Sequence, residues 1–582
     1  MNSELPGAAV LLVGLATVGV GALGLRRART ASDFYVASRA VSPRWNAAAI
    51  GGEYLSAASY LGIAGLILAY GLDMLWYPVG YTAGYLVLLA LIAAPLRRSG
   101  AYTLPDFAET RLRSGVLRSL ASVLVVLIGW LYLLPQLQGA GLTLATQTGA
   151  PAWLGGLVVC AVVLAAVSVG GMRSITFAQA FQFWLKLTAL LIPALLLAVL
   201  WRHDGSPHDT GYPTSRTNVT VRVDTAVTVT LPVPEKLTVR GTVDDRPVSG
   251  MLALAPGAHR LGAGTMVELR KGDVVPVLSS LPASTDKQWA RPLGAGRGHP
   301  LYANLSLILA ICLGTMGLPH VLVRFYTNPD GRDTRRTALV VIGLLSAFYL
   351  LPTVFGALGR RYLPDLLLTG KTDATVLLLP ERMIAGLPGQ LLGALVTAGA
   401  FAAFLSTSSG LTVSVAGVLS RDVLRRKANR VRWFRWSAAI GIAVPYVLSL
   451  PSGHVPLAAL VGLAFAVAAS TFCPMLVLGV WWRGLTAAGA CAGMISGGVL
   501  ASIAVLTTIL TGDHPGWPGA LLAEPAACTV PLAFLVMVTV SLLTRDRIPA
   551  GVGQAMIRMH APEWALSQSV VDRSSLETDR SS

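Results

Sequence analysis

About thirteen apolar runs, each roughly 18 residues or longer and so able to cross a bilayer as a helix, leave this chain few folds to choose from. They fall near residues 6–25, 46–70, 74–96, 117–146, 153–171, 179–201, 301–323, 338–359, 389–419, 433–450, 456–480, 485–511 and 524–544. Lipid offers the backbone no hydrogen-bonding partner, so such runs are read as helices. Only 13% of the 582 residues are charged, against about 25% in soluble domains. The chain is therefore expected to be an all-α polytopic membrane protein.

A net charge of +17 would suit a nucleic-acid binder, but its distribution points elsewhere. Arg26, Arg27 and Arg29, then Arg97 and Arg98, Arg335 and Arg336, and the stretch Arg421–Arg435 crowd the connections at 26–45, 97–116, 324–337 and 420–432. The connections at 71–73, 147–152, 451–455 and 512–523 contain no Arg or Lys. That asymmetry predicts an outside N-terminus, a cytoplasmic C-terminus and anionic lipid headgroups as the partners of the basic loops, with no role for nucleic acid. The loop Gly359–Pro388, with Arg360, Arg361, Lys371 and Arg382, runs against the pattern. Pro6–Leu25 lacks a basic segment ahead of it and reads as a retained span rather than a signal peptide. Heavy use of Arg over Lys fits a GC-rich bacterial genome, and hence a bacterial plasma membrane. The five cysteines, Cys160, Cys312, Cys473, Cys491 and Cys528, are isolated in apolar runs; their spacing predicts neither a metal nor a disulfide framework, and no cofactor is expected.

The second run is interrupted by Gly51-Gly52-Glu53-Tyr54-Leu55-Ser56-Ala57-Ala58-Ser59. A carboxylate, a phenol and two hydroxyls in mid-membrane are costly unless they face a site. The two glycines are expected to weaken the helix there. Runs two to six (46–201) and seven to eleven (301–480) overlay as two sets of five. Five is odd, so the second set enters the membrane inverted. Its first helix carries a matching interruption, Gly314-Thr315-Met316-Gly317-Leu318-Pro319-His320, and in each set the third run, 117–146 or 389–419, is the longest. Around these sets lie an outer helix and loop (1–45), two peripheral helices (485–544) and a cytoplasmic tail (545–582) expected to be disordered. Residues 202–299 carry strand-like Val219–Val223 and Val227–Leu231 with Asp244-Asp245 as a turn signal, and predict a small β-rich extracytoplasmic insert.

The first interruption, extended to Gly62, resembles the sodium:solute symporter family. So do the second interruption with Arg324-Phe325-Tyr326 and the segment Val461-Gly462-Leu463-Ala464-Phe465-Ala466-Val467-Ala468-Ala469-Ser470; within the family they are most similar to the cation/acetate branch. The similarity runs over roughly 33–200 and 301–485 and leaves out the insert and the tail. It implies a five-plus-five inverted-repeat (LeuT-like) core, alternating access, and uptake of acetate or a similar short monocarboxylate driven by sodium. It also implies a sodium site made by the carbonyls of Gly52, Leu55 and Ala403 and the hydroxyls of Ser406 and Thr407. Sodium wants oxygen ligands, and a broken helix supplies free carbonyls. A second cation position of some relatives falls on Gln179, which is neutral, so no second site is expected.

For the substrate carboxylate, the half-helix beginning near Ser56 offers N–H donors, to which Tyr54, Ser56, Ser59 and Gln136 are expected to add side chains. No arginine is expected deep in the core, and His320 is read as structural. Glu53 and Lys186 lie at similar depth and are expected to form an intramembrane coupling pair, with snorkelling of Lys186 to the headgroups the competing reading. Proton coupling, another solute such as proline, pantothenate or a sugar, and a transporter-like nutrient sensor are the alternatives. No nucleophile–base or phosphate-loop motif predicts an enzyme.

Overall fold

The computed structural model describes residues 4–25, 42–101, 103–204, 211–293, 299–325, 330–423, 430–451, 455–511 and 516–561. Among these, nine helices are long and apolar enough to cross a membrane, or ten when one bent pair is taken as a single span. Each apolar run read from the sequence is helical over most of its length. In chain order the main helices are α1 (Glu4–Leu25), α2 (Pro43–Tyr54), α3 (Ala58–Tyr70), α4 (Trp76–Leu91), α5 (Gly115–Thr148) and α6 (Ala152–His203). After the insert come α7 (Pro300–Gly314), α8 (Pro319–Phe325), α9 (Gly331–Tyr362), α10 (Leu387–Val418), α11 (Arg430–Ser449), α12 (Leu457–Trp481), α13 (Ala487–Thr511), α14 (Ala526–Leu543) and α15 (Val552–His560). The fifth and sixth runs share α6, whose apolar portions are 152–168 and 175–203. In the second set, α9 equals α10 at 32 residues, so the third helix is not uniquely the longest there.

Both interruptions break their helices. The α2 and α3 axes meet at 73° across Leu55–Ala57. The helix of α7 tightens into a 3-10 turn at Thr315–Gly317, and Leu318 turns extended before α8 begins. The glycines of the first interruption do not cause its break, because Gly51 and Gly52 both lie inside α2. They serve close packing instead. A Cβ on Gly52 would stand 2.2 Å from the Gln179 carbonyl oxygen, and one on Gly51 would stand 2.9 Å from the Phe183 ring. Small residues at such a crossing let two backbones approach, and here they bring α2 against α6. Enclosure is graded across the bundle: the apolar stretch of α12 is 94% buried and that of α10 78%, against 33% for α14. Helices α10 and α12 therefore form the centre and α14 the rim.

The insert is a seven-stranded antiparallel sheet over Val219–Leu278, with a valine- and leucine-rich core of its own closed by Leu368. Its longest hairpin pairs Glu235–Val243 with Arg246–Leu254 through Asp244 and Asp245, both at positive φ (49° and 60°). That is the tight turn whose twist suits a two-residue hairpin. Beyond the sheet, the chain docks on the C-terminal end of α3. The Trp289 indole Nε1 donates to the Ile67 and Leu68 carbonyls at 2.6 and 3.2 Å, and the Leu293 N–H donates to Asp73 Oδ1 at 2.6 Å. Gly71 permits this approach, with a φ of +90° and room for no side chain beside the Trp289 carbonyl. The tail departs from expectation. Its residues 552–560 form α15, which buries Val552, Met556 and Met559 and packs against the short helix Ala93–Ser99; residues 562–582 lie outside the described part.

Two glycine substitutions separate backbone strain from crowding. Gly149 also has positive φ (+71°), but a methyl added to it would meet nothing within 4 Å, whereas a methyl on Gly71 would stand 2.1 Å from the Trp289 carbonyl oxygen. Gly149→Ala is expected to lose about 1–2 kcal/mol from strain alone, and Gly71→Ala to lower the thermal midpoint in detergent further. Equal midpoints would show that the docked segment adds no constraint.

Candidate functional site

The break between α2 and α3 leaves carbonyls without their helical donors, deep in the bundle. Residues Asn46–Tyr54 are all buried, so water cannot answer them. The structure brings α6 and α10 to this point. Lys186, from α6, is fully buried. Its Nζ donates to the Gly52 carbonyl, to the Leu55 carbonyl at 2.8 Å and to Ser406 Oγ at 2.8 Å. An ammonium has three donors, and these three acceptors saturate it. From α10, Ser406 Oγ lies 2.6 Å from the Gly52 carbonyl and 3.0 Å from the Ala403 carbonyl. Thr407 Oγ1 donates to the Glu53 carbonyl at 2.6 Å. All five residues expected at the cation site, Gly52, Leu55, Ala403, Ser406 and Thr407, thus gather in one place, with a lysine among them.

Lys186 does not take the role expected of it. It does not reach the headgroups, and it makes no direct ion pair with Glu53, although the two charges are close enough to interact. The Glu53 carboxylate is held instead by a second buried cation, Arg324 of α8, whose Nε donates to Glu53 Oε2 at 2.7 Å. The same guanidinium donates to Thr176 Oγ1 at 2.6 Å and to Gln179 Oε1. Gln179 Nε2 then donates to the Ser406 carbonyl at 2.8 Å, joining the arginine network to α10. The expectation of a core without deep arginine fails here because Arg324 sits at the end of an apolar run, where sequence assigns it to a loop. The turn at Thr315–Leu318 folds α8 inward and leaves Arg324 1% exposed.

The four residues expected around a substrate divide differently. Gln136 is spent on the backbone: its Oε1 accepts from Ala57 N at 2.9 Å, answering an orphan donor at the start of α3, and its Nε2 donates to the Tyr132 carbonyl at 3.2 Å. Tyr54 Oη contacts Thr315 Oγ1 at 3.1 Å and the Tyr81 carbonyl at 3.4 Å, and Ser59 Oγ contacts Tyr349 Oη at 3.1 Å. Only Ser56 Oγ, beside the Tyr132 phenol, lacks a well-formed hydrogen bond. Tyr81 Oη and Tyr85 Oη, which the sequence reading did not name, and both ring nitrogens of His320, which it read as structural, are likewise buried without a hydrogen-bond partner. Rings link them around the break. Tyr54 and Tyr85 have centroids 4.8 Å apart, Tyr132 and His320 5.1 Å, and Tyr81 and Phe465 5.3 Å. A buried polar group left without a partner costs about 1–3 kcal/mol, so such groups gathered beside one helix break call for an explanation. A clue was present in the sequence, since Tyr77, Tyr81 and Tyr85 recur at helical spacing in α4.

The expected sodium site fits these atoms poorly while Lys186 is in place. Each of the five oxygens already has a protein partner. Two unit cations about 4 Å apart would also repel by about 4 kcal/mol at an effective protein dielectric.

Similarity to known proteins agrees with this architecture. Residues 34–205 and 281–497 match the sodium:solute symporter family. Because the second match begins at 281, the segment docked on α3 falls inside the family region and the sheet outside it. Relatives include an uncharacterized symporter of Cupriavidus necator, 30% identical over 89% of this chain and 88% of that protein. An uncharacterized symporter of Bacillus subtilis is 27% identical over 92% and 93%. A monocarboxylic acid transporter of Corynebacterium glutamicum is 29% identical over 87% and 85%. Among solved structures, a substrate-bound, outward-open sodium-coupled sialic acid symporter aligns with a TM-score of 0.61 over 93% of this chain and 97% of that one, at 12% identity. That similarity establishes a shared fold.

Removing one member of a buried ion pair is strongly destabilising, by about 3–5 kcal/mol, because the other charge is left uncompensated. Glu53→Gln is therefore expected to lower the yield and thermal midpoint of purified protein sharply, and Glu53→Gln with Arg324→Gln to recover part of the loss. A double variant no more stable than the single one would show that the pair is not the source.

Proposed function

Because this chain belongs to the sodium:solute symporter family, we propose that it is a secondary active symporter that takes up acetate or a similar short monocarboxylate by alternating access. The observation that carries this reading is the set of neutral polar groups at the helix break, Tyr81, Tyr85 and His320 without hydrogen-bond partners and Ser56 beside the Tyr132 phenol, ringed by aromatic faces. Hydroxyls answer a carboxylate without neutralising it, which leaves the anion free to depart on the other side. The rings give a short alkyl tail an apolar wall. The two cations buried beside the break have partners of their own, Arg324 on Glu53 and Lys186 on carbonyls, so a small anion held by neutral groups suits the site better than one held by an ion pair. The monocarboxylic acid transporter of Corynebacterium glutamicum supports the same substrate class. Family membership points to sodium as the coupling ion, and the lysine among the expected cation oxygens is the feature of this chain that runs against it. We place the protein in a bacterial plasma membrane with its N-terminus outside, on the distribution of its arginines.

Labelled acetate and propionate uptake into proteoliposomes tests the proposal. Both acids are expected to accumulate against their gradients and to compete with each other. A hydrogen bond to a charged group contributes about 1.5–3 kcal/mol, so Tyr85→Phe or Ser56→Ala is expected to raise the KM for acetate by about ten- to hundredfold. Uptake of proline with indifference to both acids would favour the reading as a carrier of another solute.

A further inference from the structure

We infer that Lys186 is the resident cation of the principal coupling site, its ammonium holding permanently the position that the family resemblance gives to a sodium ion. The inference rests on family membership for the location of that position and on geometry for its occupant; it does not depend on the identity of the substrate. At the break, the carbonyls of Gly52 and Leu55 and the hydroxyl of Ser406 converge on one point. These are the oxygens that a hard, weakly charged metal ion would seek. The point is filled by Nζ, which meets the two carbonyls and the hydroxyl with all three of its donors. No donor is left over for a distant partner, and the side chain is fully enclosed. The remaining oxygens are closed as well: the Ala403 carbonyl faces Ser406 Oγ, and Thr407 Oγ1 is turned to the Glu53 carbonyl.

The surroundings hold the lysine there rather than letting it leave. Glu53, the carboxylate in the adjoining residue, is engaged by Arg324 at 2.7 Å, so it does not draw the amine out of the carbonyl cradle. Gln179 and Phe183, two turns and one turn away on α6, pack against Gly52 and Gly51 with no space for a single added methyl on either glycine. Helix α6 is thereby pinned to α2 at the register that delivers Nζ to the break. Where a dissociable ion would join the broken helix to α10 only when bound, here a side chain on a third helix joins them at all times. Lys186 is a positioning residue in this sense. It also sets ion specificity, because it excludes a metal ion from the oxygens it occupies.

The test reads sodium binding on the purified full-length protein in detergent, without substrate, so that it stands or falls separately from the assignment of monocarboxylate transport. The wild-type thermal midpoint is measured as sodium chloride replaces choline chloride at constant ionic strength, and the series is repeated for Lys186→Ala, which vacates the cradle but leaves every oxygen. The wild type is expected to show no saturable sodium-specific shift, and Lys186→Ala to gain one that lithium and potassium reproduce less well. A saturable sodium shift in the wild type overturns the inference. So does a folded Lys186→Ala protein that remains indifferent to sodium. If Lys186→Ala does not fold, the wild-type measurement decides alone, with labelled sodium binding as its second readout.

Discussion

Every free carbonyl and N–H at the break between α2 and α3 has to find a protein partner, because neither lipid nor bulk water reaches it. Much of the central architecture answers that constraint. Helix α6 supplies the lysine that meets Gly52 and Leu55, α10 the hydroxyls that meet Gly52 and Glu53, and α5 the glutamine that meets Ala57. Three helices distant in sequence are thus committed to one short stretch of backbone, and these are among the longest helices in the chain.

The two cations buried beside the helix break divide the work by chemistry. Lysine is a compact point charge with rotatable donors and suits a cradle of carbonyls; the planar guanidinium of arginine suits a carboxylate and its flanking hydrogen bonds. Exchanging their roles would leave Glu53 to a side chain that cannot also span Thr176 and Gln179. The two networks meet at Ser406, which faces Lys186 through its hydroxyl and Gln179 through its carbonyl. A displacement of α10 against α2 therefore disturbs both at once, which is the kind of coupled element that alternating access requires.

The fold is legible in the sequence because its signals are local. Apolar length marks the helices, and the interruptions at Gly51–Ser59 and Gly314–His320 mark the broken ones. Asp244-Asp245 marks the hairpin of the insert. The gathering of Gly52, Leu55, Ala403, Ser406 and Thr407 at one point also follows from family resemblance. Partnership is what local signals misjudge. Gln136 and Lys186 stand out in the sequence as polar groups in apolar runs, and the structure adds hydrogen bonds to distant backbone that no local pattern announces. Paired glycines suggest a helix breaker, although Gly51 and Gly52 lie inside α2 and admit Phe183 and Gln179.

The sequence by itself determined a membrane bundle with two broken helices in inverted sets, since hydropathy and helix interruption are properties of adjacent residues. Only the tertiary structure decided which charge meets which oxygen. Arg324 belongs to a helix end that sequence assigns to a loop, and it lies 271 positions from the carboxylate it holds. Lys186 lies 131 positions from one of its carbonyls and 220 from its hydroxyl. No local pattern encodes such distances. They are set by how closely α2, α6 and α10 approach, and that depends on the small residues at their crossings.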